Sequence, residues 1–182
     1  MNILITNDDG ITAPGLKVLK DYLTNAGHAA LVCAPDTERS AIGHAITLRM
    51  PVWAKSVSLN GRFFGYASSG TPADCVKLGI LQLAPFKIDL VVSGINHGAN
   101  HSINVIYSGT MSAAVEAAIE SIPSVGFSLL DYRIDADFTG ARKYVRIIVE
   151  KMLKTKLEKH AVLNVNIPSV AVELIKGIKI CK

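Results

Sequence analysis

Short, continuously apolar runs alternate with helix-patterned segments along nearly the whole chain. Ile3–Thr6, Ala29–Ala34, Leu90–Ser93, Ser124–Ser128 and Val162–Val165 lack the in–out alternation of a half-solvated strand. Strands of that kind are covered on both faces, as in a parallel sheet flanked by helices. Between them, Pro14–Ala26 puts Leu16, Leu19 and Leu23 on one helical face, with Gly27 as the stop. Gly109–Ser121 reads as an alanine-rich helix and Thr139–Leu153 as a long one. The pattern predicts one α/β domain over residues 1–182, with a Rossmann-like, mostly parallel sheet and helices on both faces. Residues 45–70 break the rhythm, alternating about an Asn60-Gly61 turn. They predict an antiparallel hairpin inserted into the α/β domain. The tail, "VELIKGIKICK", opens a strand pattern and stops, which reads as a truncated or missing C-terminal extension.

Of the 182 residues, 49% are hydrophobic and 19% charged, the balance of a packed domain and not of a disordered chain. The net charge of +4 comes from scattered residues, without the basic stripe that a nucleic-acid polymer demands. The densest basic stretch, Lys151 to His160, reads as the solvated end of a helix, its cations suited to the negative end of the dipole. Cys33, Cys75 and Cys181 lie far apart without CxxC spacing, which suits reduced thiols. The N-terminus shows no secretory pattern, and no apolar run reaches the roughly 20 residues that span a bilayer. The expectation is a cytoplasmic protein that does not enter a membrane.

Ligands of an open parallel sheet bind beyond the carboxyl ends of its strands. Three such exits are polar here. The first strand ends in Asn7-Asp8-Asp9-Gly10, the second runs into "APDTERSAIGHA", and the third into "SGINHGANHSINVIYSGT". Asp8 and Asp9 suit a hard cation such as Mg²⁺ or Mn²⁺, with Ser40 and Asn96 completing an oxygen shell. The bland alternative is that the pair caps the following turn. Ser108, Gly109 and Thr110 stand where a helix begins. Free N–H groups make that an anion site, though ordinary capping explains a single such helix equally well. "SSGTPADC" reads chiefly as structure, with Thr71 as N-cap, Pro72 at N1 and Asp74 near the third position. His44 and His97 fall close to the expected pocket, where His44, His97 or His101 could serve as a proton donor or phosphate contact; His28 and His160 sit at element edges. A cation facing a helix N-terminus points to phosphoryl chemistry, foremost phosphomonoester hydrolysis.

"ILITNDDG", "ERSAIGHAITL", "SGTPADC", "VVSGINHGAN" and "YSGTMSAAVEAA" occur in this order. Together they closely resemble the SurE family of survival-protein nucleotidases, and the resemblance extends through "LNVNIPS" and "IKGIKI". It implies a metal-dependent phosphatase of nucleoside 5′- and 3′-monophosphates, some members also trimming short polyphosphate. It implies one divalent cation per subunit, Mg²⁺ or Mn²⁺, on Asp8, Asp9, Ser40 and Asn96, with Asp8 and Asp9 as the catalytic pair. It places Asn7, Gly43, His44, Asn96, Ser108, Gly109 and Thr110 on the phosphate side. It also implies a homodimer or homotetramer built with a swapped or extended C-terminal segment. Asn104 and Ala117 depart from the acidic residue and glycine that relatives often carry. Attack on phosphorus by Asp8 and attack by water both fit the residues.

Two other classes fit parts of the pattern. A phosphoreceiver also places an acidic pair after its first strand, but needs a phospho-accepting aspartate where this chain has Ser93-Gly94. A nucleotide-binding module without turnover would use the acidic pair for turn geometry alone.

Overall fold

The computed structural model describes residues 1–133, 135–155 and 160–181. Seven strands form one sheet: β1 (Asn2–Thr6), β2 (Ala29–Pro35), β3 (Ala54–Leu59), β4 (Arg62–Ser68), β5 (Leu90–His97), β6 (Ser124–Leu130) and β7 (Val162–Pro168). Their spatial order is β3-β4-β2-β1-β5-β6-β7, and only the β3–β4 pair is antiparallel. The helices are α1 (Pro14–Asn25), α2 (Pro72–Leu78), α3 (Asn104–Tyr107), α4 (Gly109–Ile119) and α5 (Arg142–Lys154). The mostly parallel α/β architecture expected from the apolar runs is the one found.

The pleat of β1 divides the interior in two. Ile3 and Ile5 enter a core with Leu16, Leu19 and Leu23 of α1 and with Val145, Ile148 and Val149 of α5. Leu4, pointing the other way, enters a second core with Cys75 and Val76 of α2 and Ala113 and Ala117 of α4. The small side chains of α4 let that helix lie close to the sheet. Helix α1 starts on Pro14 without a side-chain cap and ends as the sequence predicts. Gly27, at φ 85°, bonds back to Thr24, and His28 N–H reaches the Leu23 carbonyl at 3.2 Å. That pair of bonds satisfies carbonyls the helix would otherwise leave open.

The hairpin forms around Asn60 and Gly61, both in the left-handed region (φ 51° and 74°), as a two-residue turn between right-twisting strands requires. It does not stand apart from the domain, because β4 pairs in parallel with β2 and the hairpin extends the main sheet.

Three strands and the tail differ from expectation. Strand β5 runs to His97 and not to Ser93, so Asn96 sits on a strand end and not in a loop. The ladder slips between Ser93 and Asn96, around a cis Gly94–Ile95 peptide, and resumes with Asn96 opposite Ser128. Strands β6 and β7 likewise run longer than their apolar centres, to Leu130 and Pro168. The tail forms one 3₁₀ turn at Val172–Leu174, and residues 175–181 have no regular structure, so the expected strand does not form. Ile178 and Ile180 are exposed, with no partner strand beyond β7 among the described residues. Of the basic stretch Lys151 to His160, α5 includes Lys151 and Lys154, while residues 156–159 lie outside the described residues.

The chain passes from β1 outward to β2 and β4, then returns through α2 to β5 on the other side of β1. The crevice at the carboxyl ends of β1 and β5 is therefore the switch point of the sheet, the place where open α/β folds bind ligands.

Candidate functional site

Asn7 is fully buried and turns the chain at the end of β1. Its side-chain oxygen accepts from Gly10 N–H at 3.2 Å and its amide nitrogen donates to the Gly10 carbonyl at 3.0 Å. This closed turn aims the next two side chains at the crevice. Asp8 is 5% exposed. Its Oδ1 accepts from the hydroxyl of Thr110, which also lies 3.2 Å from Asn96 Oδ1. The N–H groups of Gly109 and Thr110, in the first turn of α4, face the same carboxylate. Asp8 thus occupies the anion-attracting end of that helix. Burial outweighs these bonds and raises its pKa above the ordinary carboxylate value.

Asp9 Oδ2 accepts from the backbone N–H of His97 at 3.3 Å. Its pKa is pushed up to about 7, first by burial and then by the neighbouring Asp8 charge, with Glu38 adding to the repulsion. Among the described residues no Lys, Arg or His pairs with either aspartate. Asn96 is 9% exposed and donates to the Gly98 carbonyl at 2.8 Å, which leaves its oxygen turned toward Thr110. Beneath this junction, Thr6 and Ser93 are register partners on β1 and β5. Both are fully buried, and neither hydroxyl has a hydrogen-bond partner among the described residues.

Gly109 is where α4 meets β1. A Cβ there would lie 2.6 Å from Asp8 Cβ and 2.9 Å from its Oδ2. Only a residue without a side chain lets the helix start this close to the carboxylate. Ser108 caps the same helix, its hydroxyl accepting from Met111 N–H at 3.1 Å.

The other expected residues sit on the long connection between β2 and β3. Arg39 N–H donates to the Asp8 carbonyl at 2.7 Å, tying the start of this loop to the site. Ser40 is exposed, and its hydroxyl donates to Glu38 at 2.5 Å. Gly43 N–H donates to the Tyr107 carbonyl at 3.1 Å, beside the start of α4. His44 Nε2 meets Glu116 of α4 at 2.7 Å. His97 reaches the site through its backbone, and its ring lies 5.8 Å from that of Phe138. His101 is exposed. The structure therefore brings Asp8, Asp9, Asn96, Gly109 and Thr110 to one point from three elements. Gly43 meets Tyr107 beside the start of α4, His44 meets Glu116 farther along that helix, and Ser40 is bonded within its own loop.

Two residues had no assigned role. Glu38 lies close enough to Asp9 to repel it, and its signal was only a third carboxylate in a strand-exit loop. Glu116 is 2% exposed in an otherwise apolar helix. A lone carboxylate in an alanine-rich segment is the signal that could have found it. No group of three or more His, Cys, Asp or Glu gathers at one point among the described residues. A cation here would draw on amide and hydroxyl oxygens besides the two carboxylates.

Comparison with known proteins agrees with this picture. Residues 3–182 match the family described as Survival protein SurE. A protein named 5'-nucleotidase SurE from Christiangramia forsetii is 52% identical over 99% of this chain and 70% of its own length. One of the same name from Kosmotoga olearia is 48% identical over 100% of this chain and 71% of its own. The crystal structure of Sure protein from Aquifex aeolicus superposes with a TM-score of 0.88 at 39% identity, covering 98% of this chain and 71% of that one. Fold, strand-exit motifs and sequence agree over the full span: the chain belongs to the SurE family.

Proposed function

We propose that the chain is a divalent-cation-dependent phosphomonoesterase that hydrolyses nucleoside 5′- and 3′-monophosphates to nucleoside and phosphate. The observation that carries this reading is the junction of Asp8, Thr110 and Asn96 beside Asp9. Two adjacent carboxylates, Asp8 buried and Asp9 half-buried, stand above their usual pKa, and no cationic side chain answers them among the described residues. Such a pair is costly unless a cation joins it. The all-oxygen donor set fits Mg²⁺ or Mn²⁺. Asp8, Asp9, Ser40 and Asn96 are the residues that would hold one ion, Ser40 on giving up its bond to Glu38. When bound, the ion supplies polarisation of a phosphoryl oxygen and a lowered pKa for water.

The chain's own groups do the rest. Thr110 holds Asp8 in one orientation through its hydroxyl, and Asn7 locks the loop that carries both aspartates. Ser108, Gly109 and Thr110, with Gly43 and His44 of the facing loop, form the side on which the phosphate lies. The name 5'-nucleotidase carried by relatives about half identical supports the substrate class. We extend the reading to a cytoplasmic homodimer or homotetramer that binds neither membrane nor nucleic-acid polymer. No helix among the described residues is long and apolar enough to cross a membrane, and large apolar side chains such as Leu48 and Met50 stand exposed, available to a second copy.

The test is phosphate release from 5′-AMP and 3′-AMP after removal of metal with EDTA, then with Mn²⁺ restored. Release that vanishes with EDTA and returns with Mn²⁺ is the expected result. Tight nucleotide binding with no release under either condition would overturn it.

A further inference from the structure

Glu116 is a buried carboxylate that the site described above does not use. It lies in α4 among Ala113, Ala114, Ala117 and Ala118, all of them buried. A charge in such surroundings persists only when it is paired and fully bonded. Both of its oxygens are taken. Oε1 meets Lys77 Nζ of α2 at 2.7 Å, and Oε2 meets His44 Nε2 at 2.7 Å. Lys77 also bridges to Glu120 at 2.9 Å. The carboxylate therefore links three separate parts of the fold: α4, α2 and the connection between β2 and β3.

That connection, residues 36–53, has no regular structure, and its placement depends on a few bonds. Arg39 N–H holds Asp8, Gly43 N–H holds Tyr107, and His44 holds Glu116. Further on, Thr71 Oγ1 donates to the Ala45 carbonyl at 2.8 Å, and the Thr47 hydroxyl donates to Asp74 at 2.6 Å. Ser40 lies between the first two pins. Among the described residues its one side-chain bond is to Glu38 of the same loop. Where Ser40 stands relative to Asp8 is set by how tightly the loop is held on either side. Of those bonds, the one to Glu116 is the only contact of a loop side chain with a buried charge of α4.

We propose that Glu116 is a positioning residue for the phosphatase site: through His44 it clamps the serine-bearing loop over the start of α4 and so sets the pocket that receives the phosphate. This rests on the phosphatase reading above. It gives the His44 ring a structural task, its Nε2 being held by Glu116, and leaves the backbone at Gly43 and His44 to face the phosphate. It also explains why a carboxylate is retained inside a helix of small apolar residues. Lys77 alone would neutralise it; the second oxygen is free for the loop.

The experiment is a double-substitution cycle on 5′-AMP hydrolysis, with amide hydrogen exchange measured on the same proteins. Glu116→Ala and His44→Ala are each expected to raise KM about tenfold, the scale of one bond to a charged group, with kcat within about twofold of wild type. The double variant should lose no more than either single one, because both remove the same contact. Glu116→Gln keeps an oxygen acceptor for His44 and should recover most of the loss. It also keeps the fold free of an unpaired buried charge. Exchange at the Gly43 amide should speed up in both alanine variants while amides in the middle of α4 stay protected. Losses that multiply in the double variant, a fall in kcat at constant KM, or an unchanged Gly43 amide would each overturn the clamp. A wild-type protein that releases no phosphate would sink the phosphatase reading instead, and the exchange of Gly43 would then decide the clamp by itself.

Discussion

Asp9 carries the clearest consequence at the scale of single residues. Its carboxyl sits at about 7 in the fold against 3.8 for the free side chain, through burial and the charge of Asp8. Folding therefore favours the protonated form. The stability this gives is complete below about pH 4 and is lost as pH rises through about 7. In EDTA, Asp9→Asn should melt several degrees above wild type at pH 8, and the gap should close toward pH 4; thermal denaturation across that range checks it. With Mn²⁺ present, the same substitution should lower phosphate release by at least about a hundredfold, beyond the usual loss for a residue outside the metal's own ligands. Ser93 offers an independent test. Its hydroxyl is fully buried without a partner among the described residues, so Ser93→Ala should raise stability by about 1 kcal/mol. A lower melting temperature would show that the hydroxyl has a partner in solution. At this scale the sequence was most informative where residues are adjacent: "NDDG" announces its own chemistry. Glu116 and His44 lie far apart in the chain, and nothing local says that they meet.

Among the elements, α4 is the most constrained, because its first residue touches Asp8. Gly109→Ala separates two effects. Alanine favours helices by about 1 kcal/mol over glycine, so helix propensity alone predicts a gain in stability. The 2.6 Å approach to Asp8 Cβ predicts that the carboxylate is pushed aside. We expect phosphatase activity to fall more than tenfold while the melting temperature drops by a few degrees or less, and parallel kinetic and thermal measurements distinguish the outcomes. Helix α2 shows how a capping motif takes on a second task. Thr71 and Asp74 form the reciprocal cap that "SGTPADC" predicts, yet Asp74 also accepts from Thr47, and Thr71 donates its hydroxyl to the Ala45 carbonyl. Thr71→Ala should cost about 0.5–2 kcal/mol as a lost cap and should also quicken proteolysis within residues 36–53. Strands with apolar centres were legible, but their ends were not. Asn96 is on β5 because pairing with β6 resumes after a slip, a tertiary event with no local pattern. The expected strand in the tail fails for the converse reason, since an apolar alternation needs a neighbour to bond with.

For the molecule as a whole, the fold class followed from one physical fact: strands that are apolar on both faces need cover on both faces. The two cores on either side of β1 bear that out. Which strand lies next to which was not legible, because a parallel crossover spans more chain than any local pattern can see. That same order has a bearing on synthesis. The middle strand, β1, precedes both of its neighbours in the chain, which come from residues 29–35 and 90–97. Until residues 90–97 have been translated, one flank of Ile3–Ile5 stays without its companion strand, and the α1–β2 unit shelters the other. Nascent chains of this topology are thus exposed to trapping factors and to self-association early and for long, whereas the β3–β4 hairpin can close as soon as it emerges.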